Sequence, residues 1–151
     1  MSKIVIGIDP GLKGSVCILG DPITFHPMPS SPFDLALILS KYPTATTHVF
    51  VEKAQAMPGQ GSVSMFNYGR GFGEILGVIA ALGLSHTLVP PVTWTKVMHK
   101  GCYGKDAKAK SLDAVTRLFP HVDLMRTDRC KKPDEGFVDS LLIASYGKKS
   151  L

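Results

Sequence analysis

Residues 4–11 have the sequence IVIGIDPG, a β-branched and apolar run that ends in Asp9 and a turn. Such a run predicts a buried strand, because branched side chains pack well on a pleated surface. The turn at residues 10–14 leads into a second predicted strand at residues 15–19, and a third is predicted at residues 23–26. Because only short turns separate these three strands, we expect them to form an antiparallel meander.

Helices and strands alternate along the rest of the chain. The pattern predicts two further strands, at residues 47–52 and 85–89, and five helices, at residues 32–41, 62–82, 93–99, 105–119 and 134–148. This order, in which three strands precede alternating helices and strands, predicts one α/β domain over residues 1–151. Ser31 is placed to cap the first helix, and Trp94 is expected to pack in the core.

Length and composition restrict the class of protein. A chain of 151 residues with 44% hydrophobic residues can bury a core, which excludes intrinsic disorder. The longest apolar stretch, residues 75–84, is half of the roughly 20 residues that a membrane-spanning helix needs, so no membrane association is expected. The N-terminus lacks the pattern of a signal peptide, and three widely spaced cysteines favour reduced thiols. We therefore expect a cytoplasmic protein.

The positive charge is concentrated in one segment of the chain. Ten of the 17 Lys and Arg residues lie at positions 96–132, together with four acidic residues. The remaining residues carry a slight negative excess, and the whole chain has a formal net charge of +5. A confined basic segment predicts a polyanionic partner such as a nucleic acid. The alternative is a solvated helix face with no partner.

Four carboxylates occupy positions from which they can converge. Asp9 ends the first predicted strand, and Glu52 ends the fourth. Asp139 lies in the first turns of an otherwise apolar helix, with Glu135 four residues earlier on the same face. Taken singly, each would most often be a capping or turn residue. If the first and fourth strands are neighbours, the four carboxylates meet at one sheet edge and call for divalent cations such as Mg²⁺ or Mn²⁺. A pair of such ions activates water and stabilises the leaving oxygen of a phosphodiester.

Four segments resemble, in the same order, those of RuvC-type Holliday junction resolvases, including the phage-encoded branch. They are IGIDPG at residues 6–11, VFVE at 49–52, LVPPVTWTK at 88–96 and VDSLLIA at 138–144. The resemblance implies a ribonuclease-H-like fold, with a five-stranded mixed sheet of three antiparallel strands and two parallel additions, flanked by helices. It also implies a homodimeric, metal-dependent endodeoxyribonuclease of a bacterial cell or a phage-infected one. Such an enzyme resolves four-way DNA junctions by paired nicks, with two metal ions in each active site.

The resemblance implies that the carboxylates at the ends of the predicted elements are catalytic metal ligands, and that a fourth acid lies shortly before the last of them. In the bacterial pattern this acid lies three residues before Asp139, a position that Gly136 occupies here. Phage-encoded relatives with an acid-Gly-x-x-Asp pattern make Glu135 the first candidate. Asp134 is the alternative, and it is equally placed to cap the last helix.

The resemblance further implies that basic residues near the start of the fourth helix lie near the scissile phosphate. Lys105, Lys108 and Lys110 occupy that position, and Arg70 and Lys13 are weaker candidates for DNA contact. Such contacts position a duplex without reading its sequence. The alternative for each residue is a surface position that serves solubility.

The aromatic residue with which the family probes the junction has no counterpart here, because residues 55–57 are Gln-Ala-Met. Junction opening is therefore assigned to Met57 or to another loop residue. No preference for a DNA sequence is carried over from the family.

Three glycines share one face of the longest predicted helix at four-residue spacing: Gly69, Gly73 and Gly77. Each costs the helix about 1 kcal/mol, so the close approach of another element is expected to compensate. We expect that element to be a second copy of the chain, in a homodimer with a two-fold axis. The alternative is that this face packs on the protein's own sheet.

Other functions share parts of this pattern. Sugar kinases and actin-like ATPases have the same strand and turn but need two such domains. A non-catalytic module that binds branched DNA would tolerate loss of the acids, all of which are present. A pre-ribosomal-RNA nuclease of the same superfamily and a broader branched-DNA or flap nuclease are the remaining alternatives to a junction resolvase.

Overall fold

A mixed sheet forms the centre of the computed structural model, which describes residues 2–151. Its strands are β1 (Ile4–Asp9), β2 (Ser15–Leu19), β3 (Thr24–Pro27), β4 (Thr47–Glu52) and β5 (Ser85–Val89). They lie in the order β3-β2-β1-β4-β5. The first three strands pair antiparallel, whereas β4 is parallel to both β1 and β5. The predicted arrangement of three antiparallel strands and two parallel additions is therefore confirmed.

The helices that flank the sheet are α1 (Pro32–Leu39), α2 (Ser62–Ala81), α3 (Pro91–Met98), α4 (Ala107–Leu118) and α5 (Glu135–Ser150). Two of them, α3 and α4, begin two residues away from the predicted start for local reasons. Pro91 starts α3, because its fixed φ suits the first helical position. Asp106 delays α4, because its side chain accepts a hydrogen bond from the Ala109 N–H. Among the helices of residues 2–151, none is both long and apolar enough to cross a membrane.

Helices cover both faces of the sheet, because alternate residues of each central strand point to opposite sides. On one side, Ile6 and Ile8 of β1 and Val49 of β4 pack beneath α1 and α2. On the other side, Val5 and Phe50 pack beneath α5, which supplies much of that core. The central strands are therefore continuous apolar runs, and charged side chains emerge only at their ends.

α5 lies directly on the sheet because the strand beneath it carries a glycine. A Cβ atom at Gly7 of β1 would overlap the backbone carbonyl oxygen of Ser140. The buried Ser15 hydroxyl at the start of β2 donates to the Gly136 carbonyl at 2.7 Å and pairs with the Ser140 hydroxyl at 2.5 Å. These contacts join β1, β2 and the first turns of α5 into one unit.

The glycine face of α2 is open. No packing partner from residues 2–151 lies within 4 Å of a Cβ atom placed at Gly69, Gly73 or Gly77. The buried side of this helix carries Ile75 and Ile79 instead. The alternative in which the glycines pack on the protein's own sheet is therefore wrong.

We expect Gly7→Ala to lower the free energy of unfolding by about 1–3 kcal/mol, because the added methyl group must push α5 away from β1. Gly71→Ala is the matched control, since the space around Gly71 is open, this residue lies outside the face of Gly69, Gly73 and Gly77, and alanine favours a helix over glycine by about 1 kcal/mol. Urea unfolding followed by circular dichroism measures both variants. A Gly7→Ala protein of unchanged stability would contradict the close packing.

Candidate functional site

Three of the predicted carboxylates lie at one edge of the sheet. β1 and β4 are adjacent and parallel, so Asp9 and Glu52 end neighbouring strands on the same side. The first turns of α5 reach this edge, where the charge of Asp139 acts on Asp9 and that of Glu52 acts on Asp139. The condition for the predicted convergence, adjacent first and fourth strands, is met.

Burial and repulsion disfavour the charged form of the carboxylate on β1. Burial raises the pKa of Asp9, and the charges of Asp139, Glu52 and Asp134 raise it further, to about 9. Burial also raises the pKa of Glu52 above its usual value. Keeping Asp9 and Glu52 ionised therefore costs free energy, and binding of a proton or a cation would remove that cost.

The carboxylate on α5 is subject to opposing effects. Burial, and then the charges of Glu52 and Glu135, raise the pKa of Asp139 to about 7. The nearby ammonium of Lys108 and a hydrogen bond from Ser111 act in the other direction. Asp139 consequently titrates near neutral pH in the absence of a bound cation.

Trp94 holds the carboxylate on β4. Its Nε1–H donates to Glu52 Oε2 at 2.6 Å, and its side chain is otherwise buried. The sequence analysis assigned Trp94 to packing and missed this hydrogen bond. The signal that could have found it is chemical, because a buried indole N–H needs an acceptor.

Asp134 and Glu135 have different roles at the start of α5. Asp134 caps the helix by accepting from the Phe137 N–H at 3.0 Å, as its position allowed, and it pairs with Arg126 at 3.0 Å. Glu135 is exposed and pairs with Lys108 at 3.2 Å. Glu135 is therefore the freer of the two candidates for the fourth acid, because both interactions of Asp134 hold its carboxylate in place.

The position three residues before Asp139 is closed to a side chain. A Cβ atom at Gly136 would overlap the carbonyl oxygen of Lys13 in the turn between β1 and β2. An acid at this position would therefore have to displace that turn, which also carries the end of β1. Packing of α5 on the turn explains why residue 136 is a glycine and not an acid in this chain.

Carboxylate oxygens suit a hard divalent cation such as Mg²⁺ or Mn²⁺. The site offers these ligands together with an excess of negative charge in a poorly solvated place, which a bound cation would neutralise. In the conformation shown, no three His, Cys, Asp or Glu side chains among residues 2–151 lie close enough together to surround one ion. The ligand set fits such an ion in its chemistry.

One of the three basic residues predicted near the start of α4, Lys108, lies beside the carboxylates. Lys108, in the first turn of α4, pairs with Glu135 and lowers the pKa of Asp139. Lys105 precedes the helix. Lys110 lies about half a turn after Lys108, and the side chains of Lys105 and Lys110 are both exposed. The structure thus brings the start of α4 to the edge of the sheet where the acids meet.

The two weaker basic candidates are placed less directly. Arg70, on α2, pairs with Glu74 at 3.7 Å, and both side chains are exposed. Lys13 lies in the turn between β1 and β2, whose backbone packs against Gly136. Of the two, Lys13 is therefore nearer in sequence and structure to the end of β1.

Tyr68 is an aromatic residue near the site that the sequence analysis did not identify. A Cβ atom at Gly11 would lie 3.5 Å from its ring, so Tyr68 covers the turn that follows Asp9. Burial raises the pKa of Tyr68, and the charges of Glu52 and Asp9 raise it further. No local pattern distinguishes Tyr68 from other residues of α2.

The loop between β4 and α2 borders the site with an open groove. The groove has a volume of about 190 Å³ and is lined by Ala54, Gln55, Ala56, Gln60, Met65, Tyr68, Gly69 and Phe72. Met57, the predicted loop residue for junction opening, is 55% exposed. Its exposed apolar side chain is available for contact with a partner.

The mixed sheet with α5 across it, and with acids at the ends of β1 and β4, defines a ribonuclease-H-like α/β fold. No protein-family model and no curated protein matches the sequence, whereas solved structures match nearly the whole chain. The RuvC of Thermus thermophilus in complex with a Holliday junction substrate superposes with a TM-score of 0.65 over 98% of this chain and 96% of that chain, at 14% identity.

Two further solved structures match the fold of this chain. Thermus thermophilus RuvC gives a TM-score of 0.61 over 97% of this chain and 96% of that chain, at 18% identity. The yeast mitochondrial Holliday junction resolvase Ydc2 gives 0.57 over 96% of this chain and 77% of that chain, at 16% identity. At these identities the comparisons establish the fold, and the ribonuclease-H-like, RuvC-type architecture that the sequence resemblance implied is confirmed.

The stability of the metal-free protein is expected to depend on pH through Asp9. Its pKa is about 9 in the folded state and 3.8 by reference, so between these values the folded chain binds more protons than the unfolded chain, and stability from this group falls as pH rises. Asp9→Asn removes this dependence. We therefore expect the stability of the variant, relative to wild type, to increase steadily from pH 4 to pH 9.

Urea unfolding in the presence of EDTA, at several pH values, measures this difference. Asp21→Asn is the control, because Asp21 is exposed in the turn between β2 and β3, and its effect should not vary over the same range. A difference between Asp9→Asn and wild type that is constant with pH would contradict the buried, repelled carboxylate.

Proposed function

We propose that this protein is a metal-dependent, structure-selective endodeoxyribonuclease that resolves four-way DNA junctions by paired nicks. The observation that carries the proposal is the meeting of Asp9, Glu52 and Asp139 at one sheet edge, within the fold of RuvC and Ydc2. One of the matching RuvC structures is bound to a Holliday junction substrate, and Ydc2 is described as a Holliday junction resolvase.

The ligands of the proposed site are Asp9, Glu52, Asp139 and Glu135, which would hold two Mg²⁺ or Mn²⁺ ions. When bound, such ions lower the pKa of water and neutralise the charge that develops on a cleaved phosphodiester. The chain's own contribution is to shield Asp9, Glu52 and Asp139 in part from bulk solvent and to fix Glu52 through Trp94.

The proposed DNA contact is the start of α4. Lys108 lies beside the carboxylates, and the exposed Lys105 and Lys110 are close to it in the basic segment of residues 96–132. We infer that they bind the phosphates on either side of the scissile bond and so offset the repulsion between acids and DNA. Lys13 and Arg70 would add contacts farther along the backbone.

The proposed assembly is a homodimer through the glycine face of α2. That face is open, and the same helix exposes Val63 and Phe66 by 72% and 69%. A four-way junction is close to two-fold symmetric, so a dimer with one two-fold axis would present two identical sites to strands of like polarity. Paired nicks require both sites.

We expect Asp139→Asn to abolish cleavage and to retain or tighten junction binding, because the substitution removes a ligand and relieves repulsion of phosphate. Gel assays with Mg²⁺ and labelled four-way, flap and duplex DNA measure cleavage, and binding is measured in EDTA. Asp128→Asn is the control, since it makes the same change of charge at an exposed loop position. Near-normal cleavage by Asp139→Asn would contradict the assignment of Asp139 as a metal ligand. If wild type cuts flap DNA as well as four-way DNA, a broader branched-DNA nuclease is favoured.

Gly73→Leu is expected to give a folded monomer that nicks junctions singly, because the leucine fills an open face that the second copy must approach closely. Sedimentation measures the assembly state, and circular dichroism checks the fold. Thr116→Leu, at an exposed position of α4, is the matched control and should remain dimeric. Wild-type protein that stays monomeric even on junction DNA would rule out the dimer.

A further inference from the structure

A continuous chain of contacts begins at one of the proposed metal ligands, Glu52 on β4. The Trp94 Nε1–H donates to Glu52 Oε2 at 2.6 Å. The Trp94 ring meets His99 edge-on, with ring centroids 5.9 Å apart and ring planes at 81°. His99 Nε2 lies 2.7 Å from the hydroxyl oxygen of Ser111. The contacts therefore run from β4, through α3 and the residue that follows it, to α4.

Ser111 completes the chain to Asp139. It is buried on α4, one turn beyond Lys108, whose ammonium pairs with Glu135. Asp139 lies one turn beyond Glu135 on α5, so the packing of α4 on α5 places Ser111 opposite Asp139. The Ser111 hydroxyl lowers the pKa of the Asp139 carboxyl against the larger effect of burial, as a hydroxyl placed to donate to that carboxylate does.

The direction of these hydrogen bonds follows from the protons available. A serine hydroxyl carries one proton, so if Ser111 gives that proton to Asp139, it accepts from the Nε2–H of His99. Burial and the charge of Lys110 lower the pKa of His99, which favours the neutral ring. Each end of this chain of contacts therefore has a hydrogen-bond donor for a carboxylate: the Trp94 indole for Glu52 and the Ser111 hydroxyl for Asp139.

We propose that Trp94, His99 and Ser111 are positioning residues, which hold the Glu52 and Asp139 carboxylates in the orientation that divalent cations require. The inference rests on the proposed nuclease function for its chemistry. Two like-charged carboxylates at one edge repel each other and would otherwise rotate apart toward solvent. A donor fixed to each of them opposes that rotation, and loss of such a partner costs about 10- to 100-fold in metal affinity or activity.

A purely structural role is the competing explanation, because Trp94 belongs to the same buried cluster as Met98. Trp94→Phe separates the two, since phenylalanine keeps an aromatic ring in the core but has no N–H. A positioning role predicts weaker metal binding by a folded protein, whereas a structural role predicts lower stability with unchanged metal binding. Met98→Ala is the matched packing control, because Met98 is buried one turn away and outside the chain of contacts.

The fluorescence of Trp94 offers a direct test, because it is the one tryptophan in the sequence and it is bonded to Glu52. We expect Mg²⁺ or Mn²⁺ alone, added to the full chain without DNA, to change the emission of wild type. Glu52→Gln should abolish the response, since it removes the charged ligand at the indole. If junction cleavage depends on Mg²⁺ or Mn²⁺ but neither ion changes the Trp94 emission, the proposal is overturned.

Isothermal titration with Mn²⁺ then compares the variants. We expect Trp94→Phe and Ser111→Ala each to weaken Mn²⁺ binding by about 10- to 100-fold, with junction affinity unchanged. Because Trp94 and Ser111 both contact His99, a change at either one disturbs the other, and the double variant should lose less than the product of the two single losses. Met98→Ala should bind Mn²⁺ as wild type does. Single losses that multiply, or an equal loss in Met98→Ala, would overturn the proposal.

Failure of the nuclease proposal would be distinguishable from failure of this one. A protein that cuts no branched DNA, but loses Mn²⁺ affinity in both single variants, would support the positioning residues and contradict the nuclease. A protein that cuts junctions, but binds Mn²⁺ equally in wild type and both variants, would support the nuclease and contradict the positioning residues.

Discussion

The direct contact between α5 and β1 is the constraint on which the rest of the structure depends. Because residue 7 is glycine, the helix backbone lies against the strand, and the Ser15 hydroxyl bonds that helix to β2. The contact fixes how close the first turns of α5 come to the end of β1, and so where Asp139 lies relative to Asp9. A larger side chain at residue 7 would lift the helix and carry its carboxylate away from the strand end. Backbone packing thus decides the geometry of the acids.

The centre of the sheet is predictable from local sequence, because β1, β2 and β4 are rich in apolar and β-branched residues and their observed limits coincide with the predicted ones. β3 begins one residue later than predicted, since a four-residue edge strand has little hydrophobic pattern of its own. The meeting of Asp9 and Glu52 could be predicted only on the condition that their strands are neighbours. That pairing is a property of the whole chain, and the local patterns do not determine it.

Contacts between distant positions are what the sequence could not provide. Trp94 lies 42 residues from Glu52. A buried indole N–H needs a hydrogen-bond acceptor, but the sequence does not indicate which residue supplies it. The glycine at position 136 was visible as a departure from the family's acidic pattern, but its reason is the carbonyl of Lys13 against which it packs. In both cases the missing information is how a helix packs against the secondary-structure elements next to it.

If the open face of α2 is the contact of a dimer, the folding of this chain depends on protein concentration. Its glycines each cost about 1 kcal/mol in a helix, and in one copy the helix is anchored chiefly by the side that carries Ile75 and Ile79. If a second copy covers the open face, association and the folded state of α2 are thermodynamically linked. The protein then has no single melting temperature, and a dilute sample unfolds at a lower temperature than a concentrated one.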